Sequence, residues 1–361
     1  MDGQRAIEIA SEDKLSGLHD YVLLHIMGFL RTKHAVRTSV LSKRWEHLWK
    51  SLASFKLDSS NFQNVVQFRE FLSSFMSHRD GSLSLENVAF RHPGHIGGEI
   101  LNSFIEYIVS RGIQKLTLDT KFEKLPPCIF SCQSLTFLKI SSPSTPFKKT
   151  IIPESLGFPA LKTLHLDGVI FSTSGNGYPE PFSTCQMLNT LVVEDCFVGG
   201  LYICNSMLTS LTIVDANSLD LQTHYDKIVL CTPRLSSLNT NGYLVYEISS
   251  NCNLLYLKDV KFNVTCSFRD LPRKSLVLVS WMKVLANVTT MTLSSYTIEM
   301  LNVLLFRRST RNSLPCFSRL DLLKVNLGPN SKITSDKDVL RIVGYLLQYS
   351  PSTKVDIIRR A

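Results

Sequence analysis

The chain has 361 residues, of which 44% are hydrophobic and 19% are charged, and its formal net charge is +9. This balance excludes a disordered chain and provides a core large enough for two folded units. The first residues, MDGQRAIEIASEDK, lack the apolar core of a signal peptide, and the longest apolar stretch, YVLLHIMGFL, is too short to cross a bilayer, so we expect neither secretion nor membrane insertion.

The N-terminal region is predicted to contain a disordered segment, residues 1–12, followed by a unit of three short helices, residues 13–54. Apolar residues at three-and-four spacing predict a first helix over residues 20–30. Thr32 and Ser42 are the residue types that cap helices, so they are predicted to begin the second and third helices.

This helical unit is too small to hide all of its apolar side chains. A unit of this size buries only ~60% of its unfolded surface and is marginally stable alone. Leu24 and Phe29 fall partly outside the apolar stripe of the first helix, so some apolar side chains are expected to contact a partner. The unit is therefore predicted to be a docking head attached to a larger part of the chain.

The helical unit resembles the F-box motif of plant F-box proteins, and the run TKHAVRTSVLSKRWEHLW carries most of the match. His19 and Arg31 depart from the motif, because the family has prolines there, and a proline sets φ in advance at the start of a helix. Trp45 or Trp49 is as suited to hold the three helices together as to contact a partner directly. In the family the F-box binds a Skp-type adaptor, and the resemblance implies adaptor contacts by Leu18, His19, Leu23, Ile26, Leu30, Val36, Leu41, Trp45 and Leu48.

Residues 55–112 are predicted to be a linker of helices and strands that leads to the first repeats. Apolar periodicity predicts helices near residues 65–75 and 100–108, separated by the polar loop RHPGHIGGE. His92 and His95 in this loop have a spacing that a metal site uses, but no nearby cysteine or carboxylate pair completes a site. We therefore predict a surface loop and no metal.

From residue 113 onward an apolar frame, h-x-x-h-x-h, recurs along the chain. Leu116 and Leu138, which share one position of the frame, are 22 residues apart, within the ~20–29 residues of a leucine-rich repeat. Alternate residues of a strand point to opposite sides, so stacked copies bury one apolar face and build a solenoid with a concave parallel sheet. Thr240 and Asp259 fall on apolar positions, which predicts irregular sixth and seventh strands. The copies are IQKLTL, LTFLKI, LKTLHL, LNTLVV, LTSLTI, LSSLNT, LLYLKD, VTTMTL and LDLLKV.

These repeats extend the resemblance to plant F-box proteins with leucine-rich repeats over nearly the whole chain. The segment DVLRIVGYLLQYSPSTKVDII resembles the closing helix and final strand of that family. The predicted fold class is α/β: a three-helix F-box, then residues 113–361 as a leucine-rich-repeat solenoid, a curved parallel sheet with outer helices and loops and a C-terminal capping helix and strand.

The resemblance implies a function without catalysis. The chain would be the substrate-recognition subunit of a Skp-cullin-F-box type ubiquitin ligase in the nucleus or cytoplasm, joined to a cullin through the Skp-type adaptor and holding a protein substrate of unknown identity. No cofactor is predicted. The alternative is a leucine-rich-repeat scaffold that binds a partner without recruiting a ligase.

The target-binding surface is predicted at the third and fifth positions of each frame, which point away from the core. These positions are small and polar in the middle of the sheet. Any one of them is also typical of an ordinary solvent-facing strand residue. Aromatic and long basic side chains tend to carry binding energy, so the predicted target-binding residues are Phe137, Lys139, His165, Tyr256 and Lys258.

Other classes of function lack their sequence signatures. The chain has no G-x-S-x-G elbow, phosphate loop or H-E-x-x-H helix, so catalysis is not expected. The basic cluster at residues 307–311 has no zinc-finger or helix-turn-helix context, so nucleic-acid binding is not expected, and the positive charge is assigned to a solvated surface or to attraction of an acidic protein. The nine cysteines contain no C-x-x-C pair, which favours buried free thiols.

Overall fold

A computed structural model shows how these segments assemble. The predicted disordered segment and the basic cluster at residues 307–311 lie outside the described residues. The structure describes residues 15, 17–95, 97–122, 124–142, 150–171, 177–216, 226–265, 271–306, 314–328 and 336–359.

Three helices form the N-terminal unit, as predicted: α1 (Asp20–Phe29), α2 (Thr32–Arg37) and α3 (Trp45–Leu48), with 3₁₀ turns after α2 and α3. The carbonyl of His19 accepts hydrogen bonds from the N–H groups of Val22 and Leu23 and so starts α1.

The prediction that Thr32 and Ser42 cap α2 and α3 was wrong. Arg31 and Arg44 occupy the N-cap positions of α2 and α3. Ser42 contributes its backbone carbonyl, which accepts from the N–H group of Trp45 at 3.0 Å. The hydroxyl of Thr32 instead bonds to a strand 24 residues further along the chain.

The strands stack in chain order into a long parallel sheet. Twelve of them form one sheet in the order β1-β2-β3-β4-β6-β8-β11-β13-β15-β16-β17-β18, in which every pairing is parallel. The strands of the described residues are β1 (Ser54–Asp58), β2 (Asn87–His95), β3 (Lys115–Lys121), β4 (Phe137–Ser141), β5 (Ile151–Ile152), β6 (Thr163–Asp167), β7 (Ile170–Phe171), β8 (Thr190–Glu194), β9 (Phe197–Val198), β10 (Leu201–Cys204), β11 (Ser210–Asp215), β12 (Asp226–Cys231), β13 (Ser237–Tyr243), β14 (Tyr246–Ser250), β15 (Asp259–Thr265), β16 (Thr290–Ser294), β17 (Leu322–Leu327) and β18 (Lys354–Arg359).

The return segments between these strands are helical toward both ends of the sheet. Asn64 caps the first of these helices, because its side chain accepts from the N–H group of Gln67 at 2.9 Å. The closing helix and strand predicted at the C-terminus are present as the last helix and β18. The helices are α4 (Val65–His78), α5 (Gly98–Ser110), α6 (Leu271–Val284), α7 (Ser295–Phe306) and α8 (Asp336–Leu346).

In the middle of the chain the return segments form strands instead of the predicted outer helices and loops. β5, β7 and β9 make one three-stranded sheet, and β10, β12 and β14 make another. Buried residues of these strands, such as Leu201 and Ile228, belong to the same hydrophobic cluster as the long sheet. The core of the middle repeats is therefore closed by two layers of strands.

The sheet begins two strands before the predicted first repeat. β1 and β2 pair with β3 in continuous register, so residues 55–112 are not a linker but the first repeats of the solenoid. Phe55 and Leu57 of β1 are buried, like the leucines of later strands. The predicted polar loop was also wrong in part, since its first residues complete β2.

The repeat frame slips at the seventh predicted copy. Leu238 of β13 pairs with Val260 of β15, not with Leu257, because the strand begins at Asp259. The predicted irregularity there was wrong, since β13 and β15 pair over seven residues each. Thr240, which the frame placed on an apolar position, is buried opposite Phe262.

The helical unit and the repeats share one core. Trp49 stacks on Phe75 of α4 with ring centroids 5.6 Å apart, and Phe75 meets Phe55 of β1 at 5.1 Å. Leu23 and Met27 of α1 belong to the same hydrophobic cluster. The helical unit therefore covers the N-terminal end of the solenoid and is part of the solenoid's fold.

Candidate functional site

The N-terminal helical unit exposes a group of large apolar side chains, which we call the apolar surface. On α1, Tyr21, His25 and Phe29 follow one another at four-residue spacing, opposite the face that buries Leu23 and Met27. Water contact with side chains of this size is unfavourable, so a group of them within one small unit indicates a docking surface. The apolar surface consists of Leu15, Tyr21, Ile26, Phe29, Val40 and Leu41.

Three residues predicted to contact an adaptor are buried and thus hold the unit together. Leu23, Trp45 and Leu48 are at most 7% exposed, because they pack into the hydrophobic cluster that the helical unit shares with the repeats. The adaptor-contact role predicted for these three side chains is therefore replaced by a packing role, which for Trp45 was the stated alternative.

The other predicted adaptor residues remain accessible to different degrees. His19, Ile26 and Leu41 are exposed, whereas Leu18, Leu30 and Val36 are half-buried against the core. Phe29, which the sequence placed outside the apolar stripe, is 72% exposed. Tyr21 and Val40 of the apolar surface were not predicted from the sequence. The position of Tyr21 on the helix, opposite Leu23, would have indicated its exposure.

The two departures from the F-box motif keep a backbone that proline also adopts. His19 has φ −68° and Arg31 has φ −66°, both within the range that a proline ring fixes. Arg31 also gains a contact that proline lacks, because its guanidinium donates to the side-chain oxygen of Asn61 at 2.5 Å. The substitutions therefore change side-chain chemistry but not the path of the chain.

A second surface is formed by the strand residues that point away from the core, which we call the open face. The strand register places them in rows across the sheet. One row contains Ser54, Asn87, Lys115, Phe137, Thr163, Thr190, Ser210, Ser237, Asp259, Thr290, Leu322 and Lys354; the next contains Lys56, Ala89, Thr117, Lys139, His165, Val192, Thr212, Asn239, Lys261, Thr292, Lys324 and Asp356; a third contains Asp58, Arg91, Asp119, Ser141, Asp167, Glu194, Val214, Asn241 and Asn263.

Polar pairs join neighbouring strands of the open face. Arg91 and Asp119 form an ion pair at 3.2 Å. The hydroxyl of Ser141 donates to a carboxylate oxygen of Asp167 at 2.5 Å. These pairs were missed from the sequence, because they depend on which strands are neighbours and on their register.

The predicted target-binding residues divide into two groups. Phe137, Lys139 and His165 lie on the open face of β4 and β6, as the frame required. The imidazole of His165 also contacts a carboxylate oxygen of Glu194 at 2.8 Å. Tyr256 and Lys258 precede β15 because of the frame slip, so they do not belong to the open face; Lys261 holds the corresponding position on β15.

The sequence candidates for metal or thiol chemistry have structural explanations. His92 is buried in β2, and its Nδ1 contacts the hydroxyl oxygen of Ser59 at 2.8 Å. The described cysteines are free thiols, but only Cys132, Cys185 and Cys196 are buried, so the predicted burial holds for part of the set. Across the described residues no group of three histidine, cysteine, aspartate or glutamate side chains is arranged to hold a metal ion. No helix in the same residues has the length and apolar character needed to cross a membrane.

Comparisons with known proteins match both parts of the chain. Residues 15–71 match the F-box domain profile, and residues 101–254 match the profile described as FBD-associated F-box protein At5g56370, LRR repeats. F-box/LRR-repeat protein At4g14103 of Arabidopsis thaliana is 34% identical over 194 residues, which cover 51% of this chain and 50% of that relative. F-box/FBD/LRR-repeat protein At1g80470 is 26% identical over 350 residues (90% of this chain, 70% of the relative), and FBD-associated F-box protein At1g66310 is 26% identical over 347 residues (91% and 76%), both from the same plant.

Proposed function

We propose, from the premise that this chain is an F-box protein with leucine-rich repeats, that it is the substrate receptor of a Skp-cullin-F-box type ubiquitin ligase. The helical unit binds a Skp-type adaptor, which joins the cullin, and the open face of the repeats binds a protein target. The receptor itself carries out no chemistry. We propose that it acts in the nucleus or the cytoplasm.

The apolar surface of the helical unit is the observation that carries the adaptor part of this proposal. Phe29 and Leu41 are 72% and 60% exposed, and both lie in the segment that matches the F-box profile. Burial of one such side chain against a partner contributes roughly 1.5–3 kcal/mol. A few of them are therefore enough to support a specific interface.

The shared core supports the proposal, because it fixes the helical unit to the repeats. Thr32 of α2 bonds through its hydroxyl to the backbone of Lys56 in β1, and Lys33 donates to the carbonyl of Asn61 at 2.6 Å. The adaptor-binding helices are thereby fixed to the first strand of the repeats. A target bound to the repeats is then held at a defined place relative to the ligase, which raises its effective concentration at the ubiquitin donor.

The test is a pull-down of the full chain with a purified Skp-type adaptor. Phe29→Glu combined with Leu41→Glu should abolish capture, because two buried charges would face the adaptor. The control is Leu340→Glu, since Leu340 of α8 is 58% exposed, close to the 60% of Leu41, and lies outside the F-box match. Point variants are preferred to deletion of residues 1–52, because deletion removes part of the solenoid's own core.

The alternative is a scaffold that binds a partner without a ligase. It is favoured if the intact chain does not capture the adaptor while its repeats still bind a protein target. Equal capture by the wild type, the double variant and the Leu340→Glu control would instead exclude the apolar surface as the adaptor site.

A further inference from the structure

The open face of the first strands carries lysines that have no anionic partner among the residues that the structure describes. The carboxylates there already accept contacts within the chain: Asp58 from the N–H group of Ser60 at 2.9 Å and Asp119 from Arg91 at 3.2 Å. On β6 and β8 the same holds for Asp167 and Glu194. The negative charges of this region are therefore engaged.

The lysines of the same strands are not engaged. Lys56 and Lys115 are exposed and Lys139 is half-buried, and among the described residues their ammonium groups make no hydrogen bond or ion pair. An ammonium group that is held on a rigid strand without an anion can accept one from a partner at little cost in ordering. We call these three residues the lysine surface.

The spacing of the lysine surface fits an extended peptide. Lys115 and Lys139 lie on neighbouring strands, one row apart, which places their Cα atoms ~8 Å from each other at ~4.8 Å between strands and ~3.3 Å per residue. Side chains two residues apart in an extended chain are separated by ~6.6 Å and point the same way. Carboxylates at alternate positions of a peptide therefore match the two ammonium groups. Phe137 lies next to both lysines on the open face, opposite Lys115 and two residues before Lys139 on β4, and offers an apolar contact.

We propose that the lysine surface binds an acidic, extended peptide segment of the target, with carboxylates at alternate positions. This inference rests on the proposed function and names the kind of target segment that the repeats recognise. The engaged carboxylates set the boundary of the site, because Asp167 and Glu194 in the third row repel a negative chain and confine it to the first two rows.

A nucleic acid fits this surface less well than an acidic peptide. Proteins that bind single-stranded nucleic acid combine a basic groove with several aromatic side chains on which bases stack, whereas Phe137 is the only aromatic side chain among the open-face residues of β1 to β4 named above. The strands next to this region offer no compensating cations, since the open-face residues Thr190, Val192 and Thr212 are uncharged.

Fluorescence anisotropy with the full chain tests the proposal. The probe is a fluorescein-labelled peptide of alternating glutamate and serine, ten residues long, which at ~3.3 Å per residue is more than enough to cross β1 to β4 at ~4.8 Å per strand. It is compared with a lysine–serine peptide and a single-stranded RNA of equal charge. We expect binding of the glutamate peptide only, weakened by added salt. Lys115→Glu combined with Lys139→Glu should weaken that binding at least tenfold.

The control uses lysines of the same sheet at its other end. Lys261→Glu combined with Lys324→Glu changes the same charge on the row that contains Lys139 and should leave the dissociation constant within twofold. Absence of binding to the glutamate peptide at low salt, equal loss in both double variants, or tighter binding of the RNA would each overturn the proposal.

The adaptor pull-down separates this inference from the proposed function. The Lys115→Glu and Lys139→Glu double variant should still capture the adaptor, because neither lysine belongs to the F-box match. Retained capture with no peptide binding in the wild type refutes the acidic-segment inference alone. Failure of the wild-type chain to capture the adaptor refutes the ligase function.

Discussion

Thr32→Val tests whether the F-box is part of the solenoid. The Thr32 side chain is 1% exposed. Its hydroxyl donates to the carbonyl of Lys56 at 2.6 Å and accepts from the N–H group of the same residue at 2.9 Å. β1 is an edge of the twelve-stranded sheet, so this one hydroxyl replaces the neighbouring strand that Lys56 lacks. Valine keeps the shape of threonine and removes both hydrogen bonds.

The expected cost follows from the two backbone groups that lose their partner. A buried donor or acceptor left without a hydrogen bond costs ~1–3 kcal/mol, so the loss of both partners in Thr32→Val should lower the free energy of unfolding by ~2–6 kcal/mol. Thr38→Val is the control, because the hydroxyl of Thr38 donates to the carbonyl of Ala35 at 2.7 Å. That carbonyl also accepts from the backbone N–H group of Thr38, so nothing is left unpaired and the expected cost is below ~1 kcal/mol.

Urea denaturation followed by circular dichroism measures the difference between the two variants. Hydrogen exchange read by mass spectrometry then locates it, since peptides that contain residues 54–58 should exchange faster in Thr32→Val while peptides from β16 to β18 stay unchanged. Equal unfolding midpoints for the two variants, with unchanged exchange in β1, would refute the view that the F-box completes the edge of the sheet.

Three further predictions test single positions. Gly242→Ala should lower the free energy of unfolding by more than ~3 kcal/mol, because Gly242 has φ +103° and an added Cβ would lie 1.8 Å from the carbonyl oxygen of Asp215. Burial raises the pKa of Cys196 to about 12, so above pH 9 the folded chain keeps a proton that the unfolded chain releases. Between pH 8 and pH 10 the free energy of unfolding of the wild type, measured in urea titrations, should therefore fall by ~1.4 kcal/mol relative to that of Cys196→Ala. Arg31→Pro should keep stability within ~1 kcal/mol of wild type in thermal denaturation, because Arg31 has φ −66° and the residue before it is extended.

Each of these predictions has a matched control. Gly157→Ala places a Cβ with no atom within 4 Å and should be nearly neutral; a loss equal to that of Gly242→Ala would contradict the steric explanation. Cys316→Ala removes an exposed thiol and should keep the pH dependence of wild type. Arg31→Ala isolates the loss of the contact with Asn61, and a proline variant much less stable than this alanine variant would show that the backbone is not suited to proline.

The strands that carry the repeated apolar pattern were predicted from the sequence, and the errors in strand assignment have local causes. Strands with leucine at the inward positions were found, because stacked repeats need the same apolar pair in each copy. β1 and β2 were not recognised as strands of the repeats, although LASFKL and LENVAF fit the apolar frame, because the helix periodicity of the segments between them led to the assignment of residues 55–112 to a linker. At Leu257 the leucine was present but the strand had moved by three residues, so Tyr256 lost its predicted place.

The two surfaces differ in how much of them a sequence can show. The apolar surface follows from helix periodicity, which assigns Tyr21 and Leu23 to opposite faces, although the periodicity alone does not show that Leu23 packs into the hydrophobic cluster shared with the repeats. The open face depends on contacts between strands more than 20 residues apart. The ion pair of Asp119 with Arg91, and the lack of an ion pair for Lys115 among the described residues, can be recognised only once the register is known.

The lysine surface begins on β1, the strand to which the helical unit is fixed. Lys56 is the first lysine of that surface, and its backbone is the group that Thr32 binds. A target segment held across β1 to β4 therefore lies within ~15 Å of the strand that is fixed to the F-box, at ~4.8 Å per strand, whereas a segment on β15 to β18 would lie several times further away. In the proposed ligase, this close attachment would leave the bound segment few ways to move relative to the adaptor, and the restriction would raise the effective concentration of the target.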